Sequence, residues 1–248
     1  MDIPIVVVSY NNYKYVENTL KQIRDLNENY YKNIVIMDNC SNDVKTVEYL
    51  NSVDVKVIRN STNDGPWIND LKNVEVYHSL PDKFILTDPD LELNPHLAPN
   101  FIDTLVEVST KYQCAKVGFA LDISDFDEMY QFQYHDGNTI YEWERQFWEN
   151  KIDDNEYELY RASIDTTFCL VNKRFGAGEI RVAGNFTAKH LPWYRNNKIL
   201  NLSEVYNQVL NTSRISGISL ILLPYLESHY SKTELDGEVY LLPKDSSS

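Results

Sequence analysis

The feature that most constrains this chain is an alternation. Through its first half, short β-branched runs take turns with segments whose apolar residues recur at helical spacing. IPIVVVSY (3–10) is followed by YKYVENTLKQIRDL, with Val16, Leu20, Ile23 and Leu26 on one face. NIVIMDN predicts a second strand and DVKTVEYLNS a second helix; DVKVIRN predicts a third strand. GPWINDLKNV reads as a helix with Pro66 in its first turn, where a missing N–H costs nothing. KFILTD is a fourth strand, APNFIDTLVEVSTKY a helix after Pro95 and Pro99, and AKVGFALDI a fifth strand. Apolar strands separated by amphipathic helices call for a sheet covered on both faces. The fold class is therefore α/β, with a mostly parallel central sheet flanked by helices.

The second half is less regular. TIYEWERQFWENK carries aromatic residues at helical spacing (Tyr141, Phe147, Trp148), a pattern that core packing accounts for. ASIDTTFCLVN reads as a strand opening on Asp165, and EIRVAGNFTAKHLPWY as strand, loop and a turn begun by Pro192. SEVYNQVLNTS reads as a helix capped by Ser203. There is no internal repeat and no linker. The expectation is a single domain over 1–248: a ligand-binding half over 1–95, a second half over 96–240 and a flexible tail over 241–248.

A formal charge of −14 speaks against a nucleic-acid partner, which calls for a basic footprint. No apolar run is long enough to span a bilayer, and the start MDIPIVVVSY lacks the basic region of a signal peptide. Cys40, Cys114 and Cys169 fit no zinc spacing and read as free thiols, which makes the cytoplasm the expected location. Between Asn172 and Lys198 the balance reverses: Lys173, Arg174, Arg181, Lys189, Arg195 and Lys198 face only Glu179. That stretch is either a solvated basic face or an anion-facing surface.

In sheets of this class ligands bind beyond the carboxyl ends of the strands. Those ends read SYNN, MDNCSND, RNSTNDGP and TDPD, four polar tips in register. The last sets Asp88 and Asp90 one residue apart at the end of a buried run, where like charges repel and lose solvation. A Mg²⁺ or Mn²⁺ ion would offset that repulsion and keep positions open for a diphosphate. The chain has no P-loop, no G-x-G-x-x-G after its first strand and no G-x-S-x-G elbow. A nucleotide would then be held by side chains, with Asp38 or Asn39 receiving donors of the ribose or base.

Taken in order, PIVVVSYNNYKYVENTLKQI, VIMDNCSND, RNSTNDGP and FILTDPDLELN resemble the motifs of GT-A glycosyltransferases of the family 2 type, over about residues 3–95. The second half resembles a bacterial-type branch of such enzymes more loosely. The resemblance implies a GT-A fold and metal-dependent transfer of a sugar from a nucleotide-diphospho-sugar, commonly UDP-linked, to a glycan, glycoconjugate or protein acceptor. It implies Ser9 and Tyr10 in the nucleotide pocket, Asp38 on the base or ribose with Asn39, Asn63 and Gly65 alongside, and Asp88 and Asp90 at the metal and diphosphate. A late histidine completing the metal shell would be His190, with His229 the weaker choice.

The family's acceptor-side E-D pair has no clear match after residue 95, and the Q-x-x-R-W motif of processive synthases is missing, so single addition is expected. Inversion needs a carboxylate to take the acceptor's proton. Asp165 is the candidate base, ahead of Glu142, Glu144 and Asp122. Arg181, Lys189 and Arg195 could stabilise the departing diphosphate. Trp193 and Tyr194 could stack on an acceptor sugar, though core packing explains them better. Two rivals stand: a phosphoryl-transfer enzyme of the haloacid dehalogenase kind, disfavoured by Glu92 where Thr or Val belongs, and a non-catalytic module that only binds the nucleotide sugar or a glycan.

Overall fold

The computed structural model describes residues 2–212, 217–235 and 238–244. Where a single domain is expected, the chain divides into two compact units, residues 1–124 with 144–190, and residues 125–143 with 191–248.

The first unit begins as the alternation predicts: β1 (Ile5–Ser9), α1 (Tyr13–Leu26), the one-turn α2 (Glu28–Tyr31), β2 (Ile34–Asp38), α3 (Val44–Ser52), β3 (Lys56–Arg59), α4 (Val74–Ser79) and β4 (Lys83–Thr87). There follow β5 (Leu91–Leu93), α5 (Phe101–Tyr112) and β6 (Lys116–Leu121). Helix α6 (Ile140–Arg145), whose residues 140–143 fall in the second unit, leads to β7 (Lys151–Ile152), β8 (Leu159–Arg161), β9 (Cys169–Asn172) and β10 (Glu179–His190). The sheet runs β3-β2-β1-β4-β9-β6-β10-β8-β7, with β5 paired to β10.

Every residue of β1 is buried, as its unbroken IVVVS run requires of a central strand. The edge strand β3 instead exposes Lys56 and Arg59, charges that discourage further pairing. Strands β3, β2, β1 and β4 are parallel, and their register aligns Ser9 with Asp38 and Asp38 with Arg59. At β9 the direction reverses: β9 is antiparallel to both β4 and β6. The loop that enters β9 is thereby delivered to the carboxyl end of β4. A second reversal, β5 against the end of β10, pairs Leu91 with His190.

The core behind these strands is aromatic. Phe119 stacks on Phe168 with centroids 4.8 Å apart, and Phe101 meets Phe168 at 5.5 Å. Each such ring, fully buried, is worth about 1.5–3 kcal/mol. Gly118 lets β9 come close: a Cβ there would lie 2.7 Å from the Cys169 Cβ and 2.8 Å from the Phe168 carbonyl oxygen.

Three local expectations are corrected. GPWINDLKNV is helical only from Val74, because Gly65 (φ 84°) and Asn73 (φ 50°) take left-handed conformations that a helix cannot continue. The segment 162–168 is a loop, so Asp165 precedes the strand instead of opening it. And β10 continues past Gly184 (φ 67°) to His190, absorbing a register shift between Val182 and Thr187 where a loop is expected.

In the second unit, α7 (Leu202–Thr212), α8 (Gly217–His229) and the hairpin of β11 (Tyr230–Leu235) and β12 (Glu238–Pro243) follow one another. The cap of α7 is Asn201, not Ser203: Asn201 Oδ1 accepts from Glu204 N (3.0 Å) while Glu204 Oε2 accepts from Asn201 N (2.9 Å). Ser203 Oγ accepts from Leu241 N instead. Residues 241–243, expected in a flexible tail, end β12 with Leu241 buried, and 245–248 lie outside the described residues. Among the described residues no helix is long and apolar enough to cross a membrane.

Candidate active site

The parallel strand tips are closed by asparagines. Asn11 (φ 51°) donates from its backbone to Ser41 Oγ, and its side chain bonds Asn42 and the backbone of Asn42 and Asp43. Ser9 Oγ donates to Asn12 Oδ1 (2.9 Å), as does the backbone N–H of half-buried Tyr10 (3.2 Å). Asp38, with only 2 % of its surface exposed, accepts from Ser41 N and from Arg59 Nη1 (both 3.2 Å). The Asn39 amide is also committed, donating to the Gly65 carbonyl (2.8 Å) and accepting from Asn60 (2.9 Å). Asn63 Oδ1 accepts from Gly65 N. Of the first three tips, then, much of the polarity read as ligand-facing binds neighbouring loops.

The tip of β4 is different. Asp88 is half-buried; its backbone N–H donates to the Thr166 carbonyl (3.0 Å), and the Thr166 hydroxyl donates to its carboxylate. Burial drives the Asp88 carboxyl well above the usual carboxylate range; Asp90 and Asp165 push the same way, against the pull of Thr166 and His190. Asp90 meets His190 at 3.5 Å (Oδ2 to Nε2), a consequence of the β5–β10 pairing, while its buried Oδ1 has no hydrogen-bond partner among the described residues. Burial lowers the His190 pKa, but Asp90, Asp88 and Glu144 together outweigh it, and the net direction is up. Helix α1 fixes the turn between β4 and β5: Thr19 Oγ1 donates to the Pro89 carbonyl (2.5 Å), Gln22 Nε2 donates to the Leu91 carbonyl (2.9 Å), and Gln22 Oε1 accepts from Leu93 N (2.7 Å).

Asp165 reaches the same end of the sheet on a loop pinned at successive residues. Arg181 Nε donates to the Ser163 carbonyl (2.8 Å), Ile164 N donates to Glu179, and Lys116 Nζ donates to the Ile164 carbonyl (3.0 Å). The exposed Asp165 carboxylate accepts one hydrogen bond, from Trp67 Nε1 at 2.7 Å. Sequence reasoning missed Trp67, Thr166 and Lys116. The pairings of β9 with β4 and β6, together with the loop that follows β3, bring them to one place, and no spacing in the chain announces it.

Other expected site residues lie elsewhere. Arg181 is 5 % exposed, ion-paired with Glu144 and 4.2 Å from the centre of the Phe147 ring. Burial pushes Glu144 up to about 7 against the pull of Arg181. Lys189 stands opposite Glu92, and adjacent strand residues face opposite sides, so it does not share a face with His190. In the second unit Arg195 donates to the Asp127 carbonyl, His229 stacks on Tyr225, Glu142 completes a capping box with Thr139, and Trp193 and Tyr194 are buried.

Among the described residues no group of three or more His, Cys, Asp or Glu side chains is arranged as a ready metal cage. The donor set nonetheless fits a hard divalent cation. Asp90 and His190 meet at 3.5 Å, Asp88 is near enough to influence both, and among the described residues one Asp90 oxygen is buried without a partner; Mg²⁺ or Mn²⁺ takes much of its shell from substrate phosphates and not from protein.

Comparison of solved structures returns distant likenesses. S. aureus TarS (residues 1–349) is 16% identical over 70% of this chain and 47% of its own, with a TM-score of 0.41. Mannosyltransferase PcManGT from Pyrobaculum calidifontis, in complex with GDP-Man and Mn²⁺, is 12% identical over 92% of this chain and 69% of its own, with a TM-score of 0.48. The chain thus spans about half of the TarS chain. No curated protein sequence matches it. The model of the family described as glycosyl transferase family 2 matches residues 5–168, from the first strand to the loop that carries Asp165, which is more than half of the chain. By that match the chain belongs to glycosyl transferase family 2.

Proposed function

We propose that this chain transfers a sugar from a nucleotide-diphospho-sugar, UDP-linked in the first instance, to a hydroxyl of a glycan, glycoconjugate or protein acceptor, one sugar at a time and with inversion. The observation that carries this reading is the convergence at the end of β4: Asp88 and Asp90 from the strand tip, His190 through β5–β10 and Asp165 through β4–β9.

Asp88, Asp90 and His190 would hold Mn²⁺ or Mg²⁺. Such an ion supplies Lewis-acid stabilisation of the charge growing on the leaving diphosphate. Tyr10, the turn from Asn63 to Gly65 and Arg59, held by Asp38 and Asn51, form the nucleotide side. Asp165 Oδ2 takes the proton of the acceptor hydroxyl as its oxygen bonds to the anomeric carbon and the carbon–diphosphate bond breaks. Its Oδ1 is already occupied by Trp67, which fixes the plane of the carboxylate.

The test is thermal unfolding with UDP, GDP, CDP and dTDP, each with and without Mn²⁺, on the wild type and Asp88→Ala/Asp90→Ala. A nucleotide at 100 times its dissociation constant stabilises by about 2.7 kcal/mol. A Mn²⁺-dependent shift with one nucleotide, lost in the double variant, is expected; no shift with any would overturn the site. Release of free nucleoside diphosphate from the matching nucleotide sugar then separates a transferase from a module that only binds. Asp165→Asn is expected to lower that release by about 10²–10⁴-fold while leaving the thermal shift intact.

A further inference from the structure

We infer that Trp67 is the positioning residue of this site: a hydrogen-bonded strap over residues 60–73 ties the β2 tip to the indole that orients Asp165. The inference rests on Asp165 being the base.

The strap is closed upon itself. The Gly65 carbonyl accepts from Asn39 Nδ2 (2.8 Å) and Asn73 Nδ2 (3.2 Å), and the Trp67 carbonyl accepts from Asn73 Nδ2 (2.8 Å). Asn60 Nδ2 joins the two ends, donating to Asn39 Oδ1 (2.9 Å) and Asn73 Oδ1 (3.0 Å). Asn39 and Asn60, which the sequence offers at polar strand tips, together with Asn73, thus serve to fix the backbone on either side of Trp67. The residues next to the contact are anchored too. Ile68, after Trp67, and Ile164, before Asp165, are 3 % exposed and belong to one apolar cluster with Val6, Val8, Phe84 and Leu86. Two loops far apart in sequence are therefore seated in common core, and the indole-to-carboxylate bond of 2.7 Å spans the short gap above it.

That placement matters for a general base. Asp165 is exposed, and a free aspartate samples several rotamers; a bond to one oxygen removes that freedom and directs the other. Trp67 is 44% exposed, a large aromatic left in contact with solvent while its only polar atom is committed to this carboxylate. A purely structural tryptophan has no need of that exposure. The strap is also bonded to Asn39, beside Asp38, so the side of the site assigned to the nucleotide is mechanically continuous with the group assigned to the proton.

The experiment uses the full chain with ¹⁵N-labelled indoles and five variants: Trp67→Phe, Trp67→His, Asp165→Ala, Asp165→Asn and the Trp67→Phe/Asp165→Asn double variant. Trp67→Phe keeps a ring and removes the donor; Trp67→His restores a ring N–H. The Trp67 indole N–H, assigned by its loss in Trp67→Phe, is expected to exchange with solvent at least about tenfold faster in Asp165→Ala, which removes its acceptor, than in the wild type. Nucleoside diphosphate release from UDP-glucose, UDP-N-acetylglucosamine and GDP-mannose with Mn²⁺ is expected to fall about 10–100-fold in kcat for Trp67→Phe, with donor KM within about twofold. Trp67→His recovers most of that loss, and the double variant is no slower than Asp165→Asn alone. Indole exchange that Asp165→Ala leaves unchanged, wild-type kcat in Trp67→Phe, or losses that simply add would overturn the proposal. Full turnover by Asp165→Asn would instead overturn the base assignment, so the two failures are distinguishable.

Discussion

Replacing Asp88 by asparagine should make the metal-free protein more stable while abolishing its response to metal. The Asp88 carboxyl is pushed up to about 8, against about 3.9 in an unfolded chain, and each unit is worth about 1.36 kcal/mol. The whole gap would correspond to about 5–6 kcal/mol, but the carboxyl is only half-buried and solvent screens part of it, so about 1–3 kcal/mol is expected. The sign follows from proton counting. With the folded pKa raised, the native state keeps a proton that the unfolded state gives up, and wild-type stability falls as pH climbs from about 4 to about 8. Asparagine has no such dependence and still offers an oxygen to the Thr166 hydroxyl. Thermal unfolding in chelator at pH 4.5 and pH 8 reads the difference. In a chain this long 1 kcal/mol moves Tm by about 2–4 °C, so Asp88→Asn should gain about 3–8 °C at pH 8 and much less at pH 4.5. Added Mn²⁺ should raise the wild type and not the variant. A variant less stable than wild type at pH 8, or a gap equal at both pH values, would refute the account of Asp88 as a carboxylate held in an unfavourable place.

Three further outcomes follow from packing. Gly118→Ala sets a Cβ 2.7 Å from the Cys169 Cβ and 2.8 Å from the Phe168 carbonyl, so β9 must move; a loss of about 1–3 kcal/mol by urea unfolding is expected. Glu144→Gln leaves Arg181 charged and buried beside Phe147, at a cost of about 3–5 kcal/mol at pH 8, whereas Glu144→Leu/Arg181→Met should unfold near the wild-type midpoint. Asn201→Ala removes the cap of α7 and should cost about 1 kcal/mol, while Ser203→Ala leaves the start of that helix intact by circular dichroism.

The parallel half of the fold was legible because its signals are local. A run such as IVVVS can only be buried, and Val16, Leu20 and Ile23 on α1 meet the sheet at the spacing the sequence shows. Asp88 and Asp90, the carboxylates of the proposed site, stood out in the sequence for the same reason: charge at the end of a buried strand is an anomaly in one stretch of chain. What escaped depends on pairings distant in sequence. Nothing near Asp165 says that β9 runs against β4, and nothing near Trp67 says that its loop closes on Asn73. Gly65 and Asn73 do carry a local signal, since both residue types tolerate left-handed backbone, but Pro66 at a plausible first turn outweighed it. Arg181 was misplaced because charge was read by stretch, and a strand turns alternate residues to opposite faces.

The asparagine-rich tips carry a wider lesson about where function sits. A loop at the end of a parallel strand has its own backbone groups to satisfy before it can serve a ligand. Asn11, Asn39, Asn60 and Asn73 do that work: their amides bond across the tips of β1, β2 and β3, and little of them is left to offer. Against that closed network the exceptions are few and adjacent. Among the described residues Asp90 Oδ1 is buried without a partner, Asp88 is held where its charge is disfavoured, and Asp165 bonds through one oxygen, to Trp67. A sequence that commits so many of its loop amides and leaves Asp88 and Asp90 poorly compensated at one sheet end bears a stability cost there, while the exposed Asp165 beside them keeps one oxygen open. A cation, a diphosphate and an acceptor hydroxyl are together the ligands that would complete them.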